Sequence, residues 1–96
     1  MQKLELKERR ASMRMVSSNE LLEMNISANG LEKMAMKYED LYFLVSNEGV
    51  KGIAIPIYRQ QMIEAFKREK PIKKRDVRQI EIIENGRRQE YILIML

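Results

Sequence analysis

The chain of 96 residues contains no cysteine and no histidine. Disulfides, thiolate nucleophiles, the common zinc ligand sets and imidazole acid–base chemistry are therefore excluded together. Proline occurs twice and glycine four times, too rarely for a Pro/Gly-rich disordered or collagen-like chain. Gly30, Gly49, Gly52 and Gly86 stand apart, so no glycine cluster precedes a helix as a phosphate-cradling loop requires. Long hydrophobic runs are missing as well. The longest, Tyr91-Ile92-Leu93-Ile94-Met95-Leu96, has six residues, against about 20 for a membrane-spanning helix. Near the N-terminus Lys3, Lys7, Arg9 and Arg10 alternate with single apolar residues, unlike the continuous apolar segment of a secretory signal. With no cysteine and no such leader, the expected setting is the cytoplasm, with no membrane association.

What is present is 45% hydrophobic and 33% charged, the balance of a chain that packs. At this length there is material for one core, because two would each be too small to bury their own apolar surface. Charge is unevenly placed. Residues 1–14 hold five basic and two acidic side chains, and residues 15–58 three basic and six acidic. Residues 59–78 hold Arg59, Lys67, Arg68, Lys70, Lys73, Lys74, Arg75 and Arg78 against Glu64, Glu69 and Asp76. A positive cluster of this kind attracts polyanions through its field and through counterion release, so nucleic acid or an acidic protein is the expected partner.

Ser17 followed by Glu20 has the reciprocal pattern that satisfies orphan amides at a helix start. A short helix is expected over 18–25, ended by Asn25, which tolerates the left-handed conformation. A second is expected over 29–41, where Leu31, Met34, Ala35, Tyr38, Leu41 and Tyr42 recur at helical spacing. Tyr42–Val45, turn residues 46–49 and Gly52–Ile57 predict a hairpin over 42–57, its return strand ending at Pro56 or lying at an edge. A third helix is expected over 58–69, stopped by Pro71. Residues 1–16 read as a frayed helix or flexible tail before a single domain over 17–96.

The second hairpin, 77–96, turns at Asn85-Gly86. A two-residue loop sets Ile80 opposite Tyr91 but Glu81 opposite Glu90, whereas a three-residue loop sets Glu84 opposite Arg88 and Ile80 opposite Ile92. Cross-strand charge favours the second register. Tyr91, Ile92, Leu93, Ile94, Met95 and Leu96 are apolar on both strand faces, so this strand must be central or be covered by another subunit. A homodimer built on it is the expectation that follows.

Catalytic patterns are thin. Glu20 with Glu23 and Glu39 with Asp40 form no metal loop, and no nucleophile–base arrangement stands out. The expectation is a non-enzyme with no metal and no cofactor. The eight methionines suit core filling, with Met36 off the apolar stripe and available for contact.

Two capped helices meeting at Ile26-Ser27, followed by a hairpin and a further helix, resemble a helix-turn-helix and, over residues 17–69, the winged-helix proteins of the excisionase type. Leu22, Ile26, Leu31, Gly52, Ile55 and Phe66 carry that resemblance. The first helix-to-turn spacing is one residue short, and Glu32, Glu39 and Asp40 oppose Lys33 and Lys37 on the helix that would read DNA. Taken together the sequence predicts an α+β domain of three helices and two hairpins. Its expected role is regulatory or accessory binding of nucleic acid by phosphate neutralisation through the 59–78 segment. The alternative is a homo-oligomeric protein-interaction module that uses the apolar C-terminal strand.

Overall fold

A computed structural model describes residues 13–26, 30–69 and 76–96. In chain order the elements are β1 (Arg14–Ser17), α1 (Ser18–Met24), α2 (Leu31–Lys37), β2 (Tyr42–Ser46), β3 (Gly49–Pro56), α3 (Gln60–Glu69), β4 (Val77–Glu84) and β5 (Arg87–Met95). The strands form one antiparallel sheet in the order β1-β2-β3-β5-β4. This is the expected α+β class, with both hairpins in place. No helix among the described residues is long and apolar enough to cross a membrane.

The α1 caps act as the sequence implies. The Ser17 hydroxyl accepts from the Glu20 amide at 3.2 Å, and Asn25 ends the helix at φ 53. Just upstream lies a difference from expectation: Arg14–Val16, assigned by sequence to the tail, continue with Ser17 into an edge strand paired with Val45–Tyr42. Val16 is fully buried there, and alternation of Met15 and Val16 about the strand outweighs the helix-favouring charges before them. Asn29 and residues 1–12 lie outside the described residues.

α2 stops at Lys37, four residues before the periodicity does. Tyr38 turns extended (φ −125, ψ 109), with its amide closing on the Met34 carbonyl. The cause is tertiary. Buried Ser18 donates its hydroxyl to the Tyr38 carbonyl at 2.7 Å and sits 3.2 Å from the Leu41 carbonyl, which also accepts the Ser18 amide. Three carbonyl contacts to one serine hold residues 38–41 as a link between helix and sheet, so Leu41 enters the core from a loop.

The hairpin 77–95 takes the two-residue loop, correcting the register that charge favours: Glu84 faces Arg87, Ile80 faces Tyr91 and Glu81 faces Glu90. Asn85 (φ 53) and Gly86 (φ 77) are both left-handed, the geometry whose twist matches that of the flanking strands. A one-residue slip would reverse the faces of every apolar residue in β4, a far larger penalty than one like-charge pair. Glu81 and Glu90 are separately relieved by Arg88 at 3.9 Å and by Gln79 at 3.1 Å.

Helices cover one face of the sheet. There Val16, Phe43, Val45, Ile53, Ile55 and Ile94 pack against Leu21, Leu31, Ala35 and Ile63, each larger side chain contributing about 1.5–3 kcal/mol by burial. On the other face Ala54, Tyr91 and Leu93 are buried among half-buried Met15, Tyr42, Leu44, Ile80, Ile82 and Met95. β5 is thus a central strand between β3 and β4. Tyr91, Leu93 and Ile94 are covered within one chain, Ile92 and Met95 are half-buried, and Leu96 is exposed. The sequence argument for a second copy over this strand is met internally.

The second hairpin also curls. Tyr42, Ala54, Leu93 and Arg78 form one row across the sheet, yet the Tyr42 hydroxyl donates to Glu84, six residues further along β4. In a flat sheet those six residues would carry Glu84 about 20 Å away along the strand. The free end of the hairpin therefore bends over the face opposite the helices, where the Tyr42 and Tyr91 rings meet edge to face, 5.5 Å between centroids.

Candidate functional site

Between α2 and α3 runs a groove of about 800 Å³. Met34, Met62, Ala65 and Phe66 supply its apolar lining, Tyr38 and Tyr58 its aromatic rings, and Lys33, Lys37 and Arg59 its positive charge. It exists because α2 ends early. The Ser18 clamp turns Tyr38 and Asp40 toward the start of α3, where Tyr58 and Arg59 follow the strand that Pro56 terminates.

Arg59 organises this corner. Its Nε donates to both Asp40 oxygens, at 2.9 and 3.1 Å, and its guanidinium carbon lies 4.7 Å from the Tyr38 ring centroid. Lys37 Nζ is 5.4 Å from the same centroid, so two cations share one ring. The Tyr58 hydroxyl donates to Asp40 at 2.5 Å. Burial pushes the Asp40 carboxyl upward, but hydrogen bonds from Tyr58 and Arg59 and the guanidinium charge outweigh it and hold the group below its usual value. The hydrogen bond to that carboxylate, then burial, raise the Tyr58 phenol to about 12.

A second recess, about 540 Å³, opens on the other side of Tyr58. The curled hairpin lines it with Ile82, Glu84, Arg87, Arg88 and Tyr91. Burial, followed by the Glu84 hydrogen bond, raises the Tyr42 phenol, so the Glu84 carboxylate is engaged from that side. Burial likewise raises the Tyr91 phenol.

Of the cations nominated from sequence, the four among the described residues project in different directions. Arg59 lies in the α2/α3 groove, paired with Asp40. Arg68 follows groove-lining Gln61 by seven residues and so projects on that side. Lys67, one turn beyond buried Ile63, projects along the edge nearer the sheet. Arg78 alternates with core-facing Val77 and points to the opposite face of the sheet. Lys70, Lys73, Lys74 and Arg75 lie outside the described residues. Sequence reasoning weighed Lys33 and Lys37 only on the helix that would read DNA, and did not nominate Tyr38, Tyr58, Arg87 or Arg88. The adjacent Tyr58-Arg59 pair ahead of a helix was the available signal. Met36, singled out by its position off the stripe, is 71% exposed and does not line the groove.

Among the described residues no group of three or more acidic side chains is placed to hold a metal ion. No protein-family model, curated protein or solved structure matches the chain.

Proposed function

We propose that this domain binds nucleic acid, with the groove between α2 and α3 as its contact surface. The observation that carries the reading is the gathering of Lys33, Lys37 and Arg59 in one groove with the half-buried Tyr38 ring and the exposed Tyr58 ring. Lys33 and Lys37 make no ion pair among the described residues, so their charge is available to phosphate. Asp40 offsets the charge of Arg59 while orienting it and Tyr58, so the uncompensated positive charge of the groove comes from Lys33 and Lys37. Phosphate neutralisation supplies affinity and the rings supply contact with bases.

The test is fluorescence anisotropy with labelled single-stranded and duplex oligonucleotides at two salt concentrations. Replacing Lys33 and Lys37 by Gln is expected to weaken binding on all sequences alike and to flatten the log–log salt slope by about 0.7–0.9 per lost contact. Replacing Lys73, Lys74 and Arg75 by Gln measures the share contributed by the 70–75 run. Absence of any binding at low salt rejects the reading.

A second reading, self-association, draws on the sheet face away from the helices. There Met15, Leu44, Ile80, Ile82 and Met95 remain half-buried, and no helical residue packs on them among the described residues. Light scattering at high micromolar concentration separates monomer from dimer directly.

A further inference from the structure

We infer that the nucleic acid held here is a single strand, laid across the Tyr58 ring from the α2/α3 groove into the recess under the β4–β5 hairpin; this rests on the nucleic-acid reading above. Tyr58 is 61% exposed, a large aromatic surface in water on a small domain. Its ring is nonetheless fixed at both ends, by the backbone that leaves β3 and by the hydroxyl bonded to Asp40. An open ring face already held in one orientation loses little freedom when a base stacks on it. Every base has such a face to offer once it is unpaired, whereas in a duplex the faces are hidden within the stack.

Position strengthens the inference, since Tyr58 lines both depressions and stands on the ridge between them. Lys33, Lys37 and Arg59 lie on one side of that ridge and Arg87 and Arg88 on the other. Phosphates on either side of a base stacked on Tyr58 would each meet cations. Two carboxylates near the path are engaged, Asp40 by Arg59 and Tyr58 and Glu84 by Tyr42, while Glu69 lines the groove at the other end of α3. A purely electrostatic patch for duplex DNA would have no use for an exposed, oriented ring at its centre.

The experiment compares a labelled single-stranded oligonucleotide of mixed sequence with its duplex, using the full chain and the variants Tyr58→Ala, Tyr58→Phe and Arg87→Gln/Arg88→Gln. The single strand is expected to bind more tightly than the duplex. Tyr58→Ala is expected to lower single-strand affinity about tenfold, the loss of one stacked base, with the salt slope unchanged. Tyr58→Phe keeps the ring and should stay within about threefold of wild type. The double arginine variant should flatten the slope by about 1–2 units. Tighter duplex binding, or a Tyr58→Ala variant that binds the single strand like wild type, overturns the single-strand path while leaving the groove reading standing. If no oligonucleotide binds at low salt, both fall.

Discussion

Ser18→Ala offers the most direct perturbation of the arrangement that builds the groove. Ser18 is fully buried, and its hydroxyl is the donor for the Tyr38 carbonyl at 2.7 Å. The Leu41 carbonyl keeps the Ser18 amide after substitution, but the Tyr38 carbonyl loses this partner. Leaving a buried acceptor unpaired costs about 1–3 kcal/mol, and a carbonyl that is only part-buried belongs near about 1.5. For a domain of this size that lowers the melting temperature by about 6–12 °C. Ser17→Ala is the matched control. It removes a helix cap worth about 1 kcal/mol and does not touch residues 38–41. Thermal melts followed by circular dichroism give the first readout and alkaline titration of tyrosine absorbance the second. Loosening of the 38–41 link should let the Tyr58 phenol, raised to about 12 by Asp40, titrate nearer its ordinary value in Ser18→Ala and not in Ser17→Ala. A Ser18→Ala protein that melts with wild type, or whose tyrosines titrate as in Ser17→Ala, would refute the clamp.

Asp40 is held below its usual value in the folded state, so its contribution is present above the unfolded carboxylate pKa of about 4 and is lost as pH falls through the lower folded value. The melting-temperature gap between wild type and Asp40→Asn should therefore narrow as pH drops below about 4, and a gap that widens would contradict the assignment. In the same variant the Tyr58 transition, near 12 in wild type, should move down toward about 10, while the raised Tyr42 transition, set by burial and Glu84, stays where it is. Gly52→Ala places a methyl 3.2 Å from the Ile94 carbonyl oxygen and 3.2 Å from Leu93 Cδ1. Because the carbonyl belongs to a paired strand and cannot retreat, chemical denaturation should show a loss of about 1–3 kcal/mol. An unchanged midpoint would mean that β3 and β5 are less tightly apposed.

Local chemistry was legible in the sequence and tertiary decisions were not. Ser17, Glu20 and Asn25 announce α1 because capping involves only neighbours in the chain. Leu41 and Tyr42 continue the apolar period of α2, but period alone cannot see a serine twenty residues upstream that captures the Tyr38 carbonyl. In the second hairpin visible charges pointed to one register, while turn geometry and the two-faced apolar pattern set the other. The C-terminal strand was read as either central or covered by another subunit, and it is central, because β3 pairs with the edge that β4 leaves free. Ile92 and Ile94 face the helix-side core. The groove was hidden for a simple reason: Lys37 with Tyr38 and Tyr58 with Arg59 lie about twenty positions apart, and each pair alone is unremarkable. Arg59, counted from sequence among the cations available to phosphate, is the one most firmly committed to a carboxylate.

The curl of the β4–β5 hairpin divides the sheet into parts with different lifetimes. β5 is bonded to β3 from Tyr91 to Met95, and the Ile57 amide adds one bond to the Glu90 carbonyl. Past that point Ile82–Glu84 and Arg87–Gln89 pair only with each other. A two-stranded ribbon is marginal by itself in water, and here its tip is tied to the sheet through the Tyr42–Glu84 bond. Backbone amides of Ile92–Ile94 should exchange with solvent deuterium only when the whole domain opens, while those of the ribbon exchange through a separate, cheaper opening. Arg87 and Arg88 ride on that ribbon. One wall of the recess beside Tyr58 can thus swing aside and return on its own timescale while the helix-covered core stays folded.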